Sequence, residues 1–170
     1  MAALPPPHGD EYVTVRRSKL HGRGLFAALD LPAGTPIIEY RGDKVRRAEG
    51  DRRATAQWKK GRIYVFRLNR QWDLDGATRS NTARLANFSC DPNAESENDG
   101  KRIWILATRV IAAGEEITYD YHLDFEDPPA ECHCGSRRCI GYMVGHDDRD
   151  KLRQWMLAAG RPLPLGLRDG

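Results

Sequence analysis

Apolar positions in this chain recur mostly in short runs separated by turn residues, and long helical stripes are rare. Tyr12-Val13-Thr14-Val15 alternates and is rich in β-formers, so it predicts a strand. Leu31-Pro32-Ala33-Gly34 predicts a turn and Pro36 to Tyr40 a second strand, ended by Arg41-Gly42. Ile63-Tyr64-Val65-Phe66-Arg67-Leu68 is a continuous apolar run of the buried type. Trp72 to Ala77 follows it closely enough to predict a hairpin. I-W-I-L-A-T, within residues 101–110, predicts another strand, closed by the turn Ala112-Ala113-Gly114. Three stretches favour helix: residues 43–60, a short piece over Ser80 to Arg84, and Asp150 to Ala159, stopped by Gly160 and Pro162. The expected class is mainly β with short helices, an α+β domain.

At 170 residues, with 40% hydrophobic and 30% charged content, the chain suits one domain with its own core. No apolar run approaches the roughly 20 residues of a membrane span. The Pro-rich start has no basic region followed by an apolar run, so it is not a signal peptide. Residues 1–11 and 161–170 read as a disordered N-terminus and a loose tail. A net charge of +3 is too small to imply nucleic-acid binding. The basic run from Arg46 to Lys60 reads as a solvated helix face, with a nucleic-acid patch as the competing explanation.

The densest chemistry lies in Arg84-Leu85-Ala86-Asn87-Phe88-Ser89-Cys90-Asp91-Pro92-Asn93. Asp-Pro favours a turn, so the apolar segment should stop near Cys90. The chain has four cysteines, and Cys132, Cys134 and Cys139 form C-x-C-x4-C. Cysteines two apart rarely pair with each other, whereas four thiolates, with Cys90 as the fourth, would complete a tetrahedral structural zinc site. The alternative is a buried free thiol at Cys90 beside an unrelated cluster. Cysteines in metal spacing without a secretion signal fit a reducing, cytoplasmic setting, or a nuclear one in a eukaryote or a host cell.

R-L-A-N-F-S-C-D-P-N resembles the central motif R-F-I-N-H-S-C-x-P-N of SET-domain protein lysine methyltransferases, with trithorax-like features. H-G-R-G-L-F-A at residues 21–27 is similar to that family's first motif, and Leu31 to Gly42 to its I-x-x-G-x-x-I-x-E-Y-x-G pattern. Tyr64 to Leu68 resembles a family strand, and G-E-E-I-T-Y-D-Y at residues 114–121 resembles its G-E-E-L-T-Y-D-Y. The resemblance runs from residue 12 to 143, and no cysteine-rich pre-SET element accompanies it. It implies a SET fold of small curved sheets with a C-terminal pseudoknot over residues 12–123. A zinc-binding post-SET loop would occupy 124–145, with a helix and tail over 146–170.

The resemblance also implies an activity: transfer of a methyl group from S-adenosylmethionine to the ε-amine of a protein lysine, on a histone or another protein. His21, Gly22, Arg23, Gly24, Tyr64, Asn87, Phe88 and Tyr142 would contact the cofactor, with Arg23 near its carboxylate. Tyr121 would stand at the end of the lysine channel, Tyr119 at the position that limits methyl number, and Tyr64 at the channel wall. Zinc on Cys90, Cys132, Cys134 and Cys139 would be structural. Phe88 replaces the family histidine, which motivates the alternative of a weakly active or inactive SET-like binding module. The acidic linker, with Asp124, Glu126, Asp127 and Glu131, is a concentrated exception on a basic chain. It would face a basic protein substrate, with no nucleic acid or membrane as partner.

Overall fold

The computed structural model describes residues 2–168; Met1 and residues 169–170, parts of the expected loose ends, lie outside them. The strands form two sheets. In the larger, β1 (Val13–Arg17) pairs with β2 (Arg23–Ala27), β2 with β10 (Glu116–Tyr119), and β10 with β8 (Ala94–Asn98). β8 pairs in turn with β9 (Ile103–Ala107), which pairs with β3 (Pro36–Tyr40) at the other edge. The two-residue β7 (Asn87–Phe88) joins beside β10. The smaller sheet has order β4-β6-β5, from Asp43–Arg46, Trp72–Asp75 and Val65–Arg67. Helix α1 (Arg47–Trp58) covers this sheet, and α2 (Arg149–Ala158) lies near the C-terminus. The arrangement is the mainly β, short-helix architecture expected, with no helix among the described residues long and apolar enough to cross a membrane.

Two cores hold these elements. Leu25, Ile37, Ile38, Ile103, Ile105 and Ile117 form the centre of the first, each 0–2% exposed. Along β9 burial alternates, one face inward, whereas β2, β3 and β10 bury consecutive residues on both faces. The turns expected at Leu31–Gly34 and Ala112–Gly114 mirror each other, with reciprocal backbone bonds between Leu31 and Ile111 of 2.8 and 2.9 Å. Gly34 and Gly114 both take positive φ (78° and 83°), a conformation glycine adopts without steric cost. In the second core, Leu152 and Met156 of α2 and Leu167 of the tail pack with Phe88, Cys90, Cys132, Cys134, Ile140 and Val144. The expected zinc-loop segment and C-terminal segment therefore share one core.

Several elements depart from the pattern reading. Residues 43–60 divide: Asp43–Arg46 form a strand because Trp72–Asp75 offer them a ladder, and only Arg47–Trp58 become helix. The basic residues of that helix are largely committed, since Arg53 meets Glu49, Asp43 and Asp75 while Arg47 approaches Asp73. The apolar run from Ile63 to Phe66 is half-buried, because it lines a groove. β8, A-E-S-E-N, is polar and was not expected; its ladder partners on both sides impose it. Residues 2–11, read as disordered, are tied down: the Leu4 amide donates to Thr35 Oγ1 (3.1 Å), Tyr12 donates to the Pro5 carbonyl (3.1 Å), and Pro7 is buried. The tail is likewise anchored through Leu167, which forms part of a 3-10 turn over Leu165–Leu167.

The D-P-N turn is fixed by Asn93, which is 2% exposed. Its amide donates to the Glu116 carbonyl (2.8 Å) and Glu115 Oε1 (2.9 Å), and its Oδ1 accepts from the Thr118 amide (2.9 Å). Asn93→Ala would strand the Thr118 N–H and the Glu116 carbonyl away from water, costing about 3 kcal/mol. Thermal unfolding should show Tm lowered by roughly 6–12 °C. A fall of less than about 2 °C would mean that this side chain is not a principal tie.

Candidate active site

The cysteines come together. All four sulfurs of Cys90, Cys132, Cys134 and Cys139 lie within 4.8 Å of one another. Cys90 Sγ is 3.5 Å from Cys132 Sγ and 3.9 Å from Cys139 Sγ. Four thiolates at about 2.3 Å from one zinc would sit roughly 3.8 Å apart, so the set fits a tetrahedral ion. Cys90, Cys132 and Cys134 are buried in the second core, so an ion there would be closed to solvent, the usual form of a structural site. The Cys132 thiol is pulled down to about 6, chiefly by the hydrogen bond that Cys90 donates to it, and the donating Cys90 is pushed up.

Asn87 and the glycine loop also meet. Asn87 is 9% exposed, and its Nδ2 donates to the carbonyls of His21 (3.3 Å) and Arg23 (3.4 Å) and to Glu116 Oε1 (2.8 Å). Glu116 also accepts from Ser18 Oγ at 2.7 and 2.9 Å, so one carboxylate on β10 holds both the start of the loop and the Asn87 amide that grips the rest of it. Gly22 makes the turn with φ of 51°, while Gly24 lies within β2. A Cβ at Gly24 would stand 2.3 Å from Glu116 Oε1 and 3.2 Å from Asn87 Nδ2, so this close approach admits no side chain. His21 and Arg23 are exposed, and Arg23 lies directly opposite Arg17 in the β1–β2 ladder. Two like charges at such a pair repel unless an anion lies between them.

The tyrosines gather at a groove of about 650 Å³, lined by Tyr64, Phe66, Tyr119, Tyr121, Trp58 and the acidic pair Asp124 and Glu126, among others. Tyr119 and Tyr121 rings are 4.8 Å apart, Phe66 stacks on Tyr119 at 6.2 Å, and Phe88 meets Tyr121 edge-on at 5.5 Å. Tyr121 donates to the Ala86 carbonyl at 2.8 Å. Burial pushes the Tyr119 and Tyr121 hydroxyls well above their ordinary range, reinforced for Tyr121 by nearby Tyr64, so both stay neutral at pH 7. The ladder from Asn87-Phe88 to Thr118-Tyr119 is parallel, which sets the loop-holding asparagine one strand away from the groove.

Tyr142 lies in the second core, its ring perpendicular to Trp155 at 5.6 Å and its hydroxyl accepting from Arg161 at 2.7 Å. Of the acidic linker residues, Asp124 and Glu126 reach the groove. Asp127 instead accepts from the Trp155 indole (3.0 Å), and Glu131 sits by His133 at 3.6 Å. Asp120 was not singled out from sequence. It is buried, and its two oxygens accept from the His122 and His146 amides at 2.8 and 2.9 Å. It thereby pins the linker, whose His122 takes a positive φ of 52°, to the C-terminal segment. Its place inside T-Y-D-Y was the available signal, as G-E-E was for Glu116.

The SET domain family model matches residues 22–122. The chain is 41% identical over 138 residues to "Histone-lysine N-methyltransferase trithorax" of Drosophila virilis, covering 78% of this chain and 4% of that protein. It is 39% identical over 138 residues to "Histone-lysine N-methyltransferase 2D" of Homo sapiens, covering 77% of this chain and 2% of that protein. "Histone-lysine N-methyltransferase, H3 lysine-4 specific" of Emericella nidulans is 38% identical over 140 residues, 77% of this chain and 12% of that protein. The chain thus spans a small fraction of these relatives' length, and the family match over residues 22–122 takes in Arg23, Tyr64, Asn87, Tyr119 and Tyr121: the chain belongs to the SET-domain family.

Proposed function

We propose that the chain is an S-adenosylmethionine-dependent protein lysine N-methyltransferase. The carrying observation is the parallel pairing of Asn87-Phe88 with Thr118-Tyr119, which puts the loop-holding asparagine beside the aromatic groove. A cofactor on one side of this strand pair and a lysine amine on the other would be held in line, the alignment that a methyl displacement needs. When bound, S-adenosylmethionine supplies an electrophilic methyl on a sulfonium.

The chain's own residues fit that group. The exposed His21-Gly22-Arg23-Gly24 loop offers backbone and a guanidinium, and Arg23 opposite Arg17 suits a carboxylate. Asn87, the Phe88 backbone, Tyr64 and Tyr142 complete the set we assign to the cofactor. In the groove, aromatic walls exclude water and disfavour an ammonium, lowering a lysine pKa from its usual value of about 10.4. Tyr121 is neutral and anchored to the Ala86 carbonyl, so its role is to orient the amine through its oxygen rather than to act as a phenolate base. Tyr119, buried beside it, narrows the space for an amine that already bears methyl groups. Asp124 and Glu126 at the mouth would draw lysines that lie among other basic residues, and histone tails, suggested by the relatives' names, have that character. Zinc on Cys90, Cys132, Cys134 and Cys139 would hold the second core against β7 without taking part in transfer.

The direct test is incubation with isotope-labelled S-adenosylmethionine and a histone mixture, with mass spectrometry of the products. Methyl-lysine is the expected result, and cofactor binding without transfer would favour the inactive-module alternative. Tyr121→Phe should cut turnover about a hundredfold while leaving cofactor affinity nearly unchanged; retained turnover would remove Tyr121 from the site. Metal analysis should find one zinc per chain, and Cys134→Ser should release it and expose the segment around Cys132–Val144 to proteolysis. Tyr119→Phe should shift the products toward higher methylation, unless wild type already makes mainly trimethyl-lysine, which would contradict the assigned role. Finally, Asp124→Asn with Glu126→Gln should raise KM for a basic peptide and flatten the salt dependence of kcat/KM, with kcat held. Asp127→Asn, bonded to Trp155 away from the groove, should not.

A further inference from the structure

Behind Tyr64 lies a second groove of about 440 Å³, lined by Arg53, Lys60, Arg62, Arg79 and Arg84 and by no carboxylate. Arg53 is already neutralised by Glu49, Asp43 and Asp75. The other four cations have no carboxylate within ion-pair distance among the described residues. Arg84 is held rather than free to swing: its Nε donates to the Thr78 carbonyl (3.1 Å), and its guanidinium lies over the Tyr64 ring at 5.7 Å. Gln57 is held too, accepting from the Tyr64 amide (3.1 Å) and donating to Asp75 (2.9 Å). Like charges gathered in a concave site raise the local potential and attract a multivalent anion. Guanidinium forks match the geometry of a phosphate.

Gln57, Arg62 and Tyr64 line both this groove and the aromatic one, so the two adjoin across Tyr64. Asp124 and Glu126 line the aromatic groove and not the basic one. A peptide laid across the tyrosines would thus meet carboxylates in one groove and cations without carboxylates in the next. We infer that the basic groove is an anion subsite for a phosphorylated side chain of the peptide substrate, on the opposite side of the target lysine from its basic residues. The peptide's role as a substrate rests on the methyltransferase reading above; the anion subsite itself does not.

The test uses fluorescence anisotropy with labelled peptides that carry arginines on one side of a single lysine. On the other side, serine or phosphoserine is scanned position by position. At one position the phosphopeptide should bind about tenfold more tightly than its serine counterpart, the scale of one or two charge-assisted hydrogen bonds. The variant K60E/R79E should abolish that gain and favour lysine at the same position, while calorimetry shows its affinity for S-adenosylmethionine unchanged. Equal binding of serine and phosphoserine peptides at every position overturns the inference. Loss of cofactor affinity in K60E/R79E overturns it as well, by giving the groove to the cofactor. Duplex DNA displacing the phosphopeptide, with a steep salt dependence, would assign the cations to nucleic acid instead. Phosphate-dependent, charge-reversible binding without any methyl transfer would uphold the subsite and refute the enzymatic reading. Transfer that ignores the phosphate would do the reverse.

Discussion

Two residues of β7 paired with two of β10 are the constraint on which the site depends. The ladder is short, and a pair of two-residue segments has little stability of its own in water. It is held by what lies at its ends. Asn93, just beyond it, saturates one amide and two acceptors of β10 and its approach, while Tyr121 reaches back to the Ala86 carbonyl just before it. With that pairing in place, Asn87 faces the glycine loop and Tyr119 and Tyr121 face the groove. Residues some thirty positions apart in sequence thereby become the two sides of one site.

The second core supports the same place from below. Cys90 follows Phe88 by two residues, so sulfurs gathered around Cys90 fix the end of β7 to Cys132, Cys134 and Cys139. Phe88 lies in that core and meets Tyr121 edge-on. This is where the phenylalanine that replaces the family histidine takes its meaning: its ring supports the tyrosine, and its backbone remains in the ladder. Asp120 performs a comparable task for the linker, joining His122 to His146. The acidic residues that follow can then be sorted by position, with Asp124 and Glu126 at the groove and Asp127 spent on Trp155.

Much of this was legible where local pattern and tertiary role agree. Strand Ile103–Ala107 alternates in burial, Pro36–Tyr40 is apolar and β-rich, and the glycine turns carry their own signal. The cysteine cluster was readable because four thiols suited to one metal are set apart by type and spacing. Legibility failed where pairing partners decide. A-E-S-E-N has little strand propensity, yet it is a strand because β9 and β10 flank it. Asp43–Arg46 joins a sheet rather than a helix for the same reason. The apolar run before Arg67 was read as core, although its half-exposure makes it a groove wall; hydrophobicity alone does not separate a core from a binding surface. Pro-rich composition at the N-terminus pointed to disorder and missed the Leu4–Thr35 and Tyr12–Pro5 bonds that dock it. The positive groove was hidden because Arg53, Arg62, Arg79 and Arg84 converge only in the fold.

The β7–β10 pairing, the glycine loop and the tyrosine groove thus act as a single cooperative unit. Amide hydrogen exchange on Asn93→Ala at a temperature where it remains folded tests this most directly. The account predicts that residues 86–90, 116–121 and 18–24 lose protection together, while the β4–β5–β6 sheet keeps its own. Exchange that rises only at the turn around residues 91–94, with the loop and the tyrosine segment still protected, would contradict it.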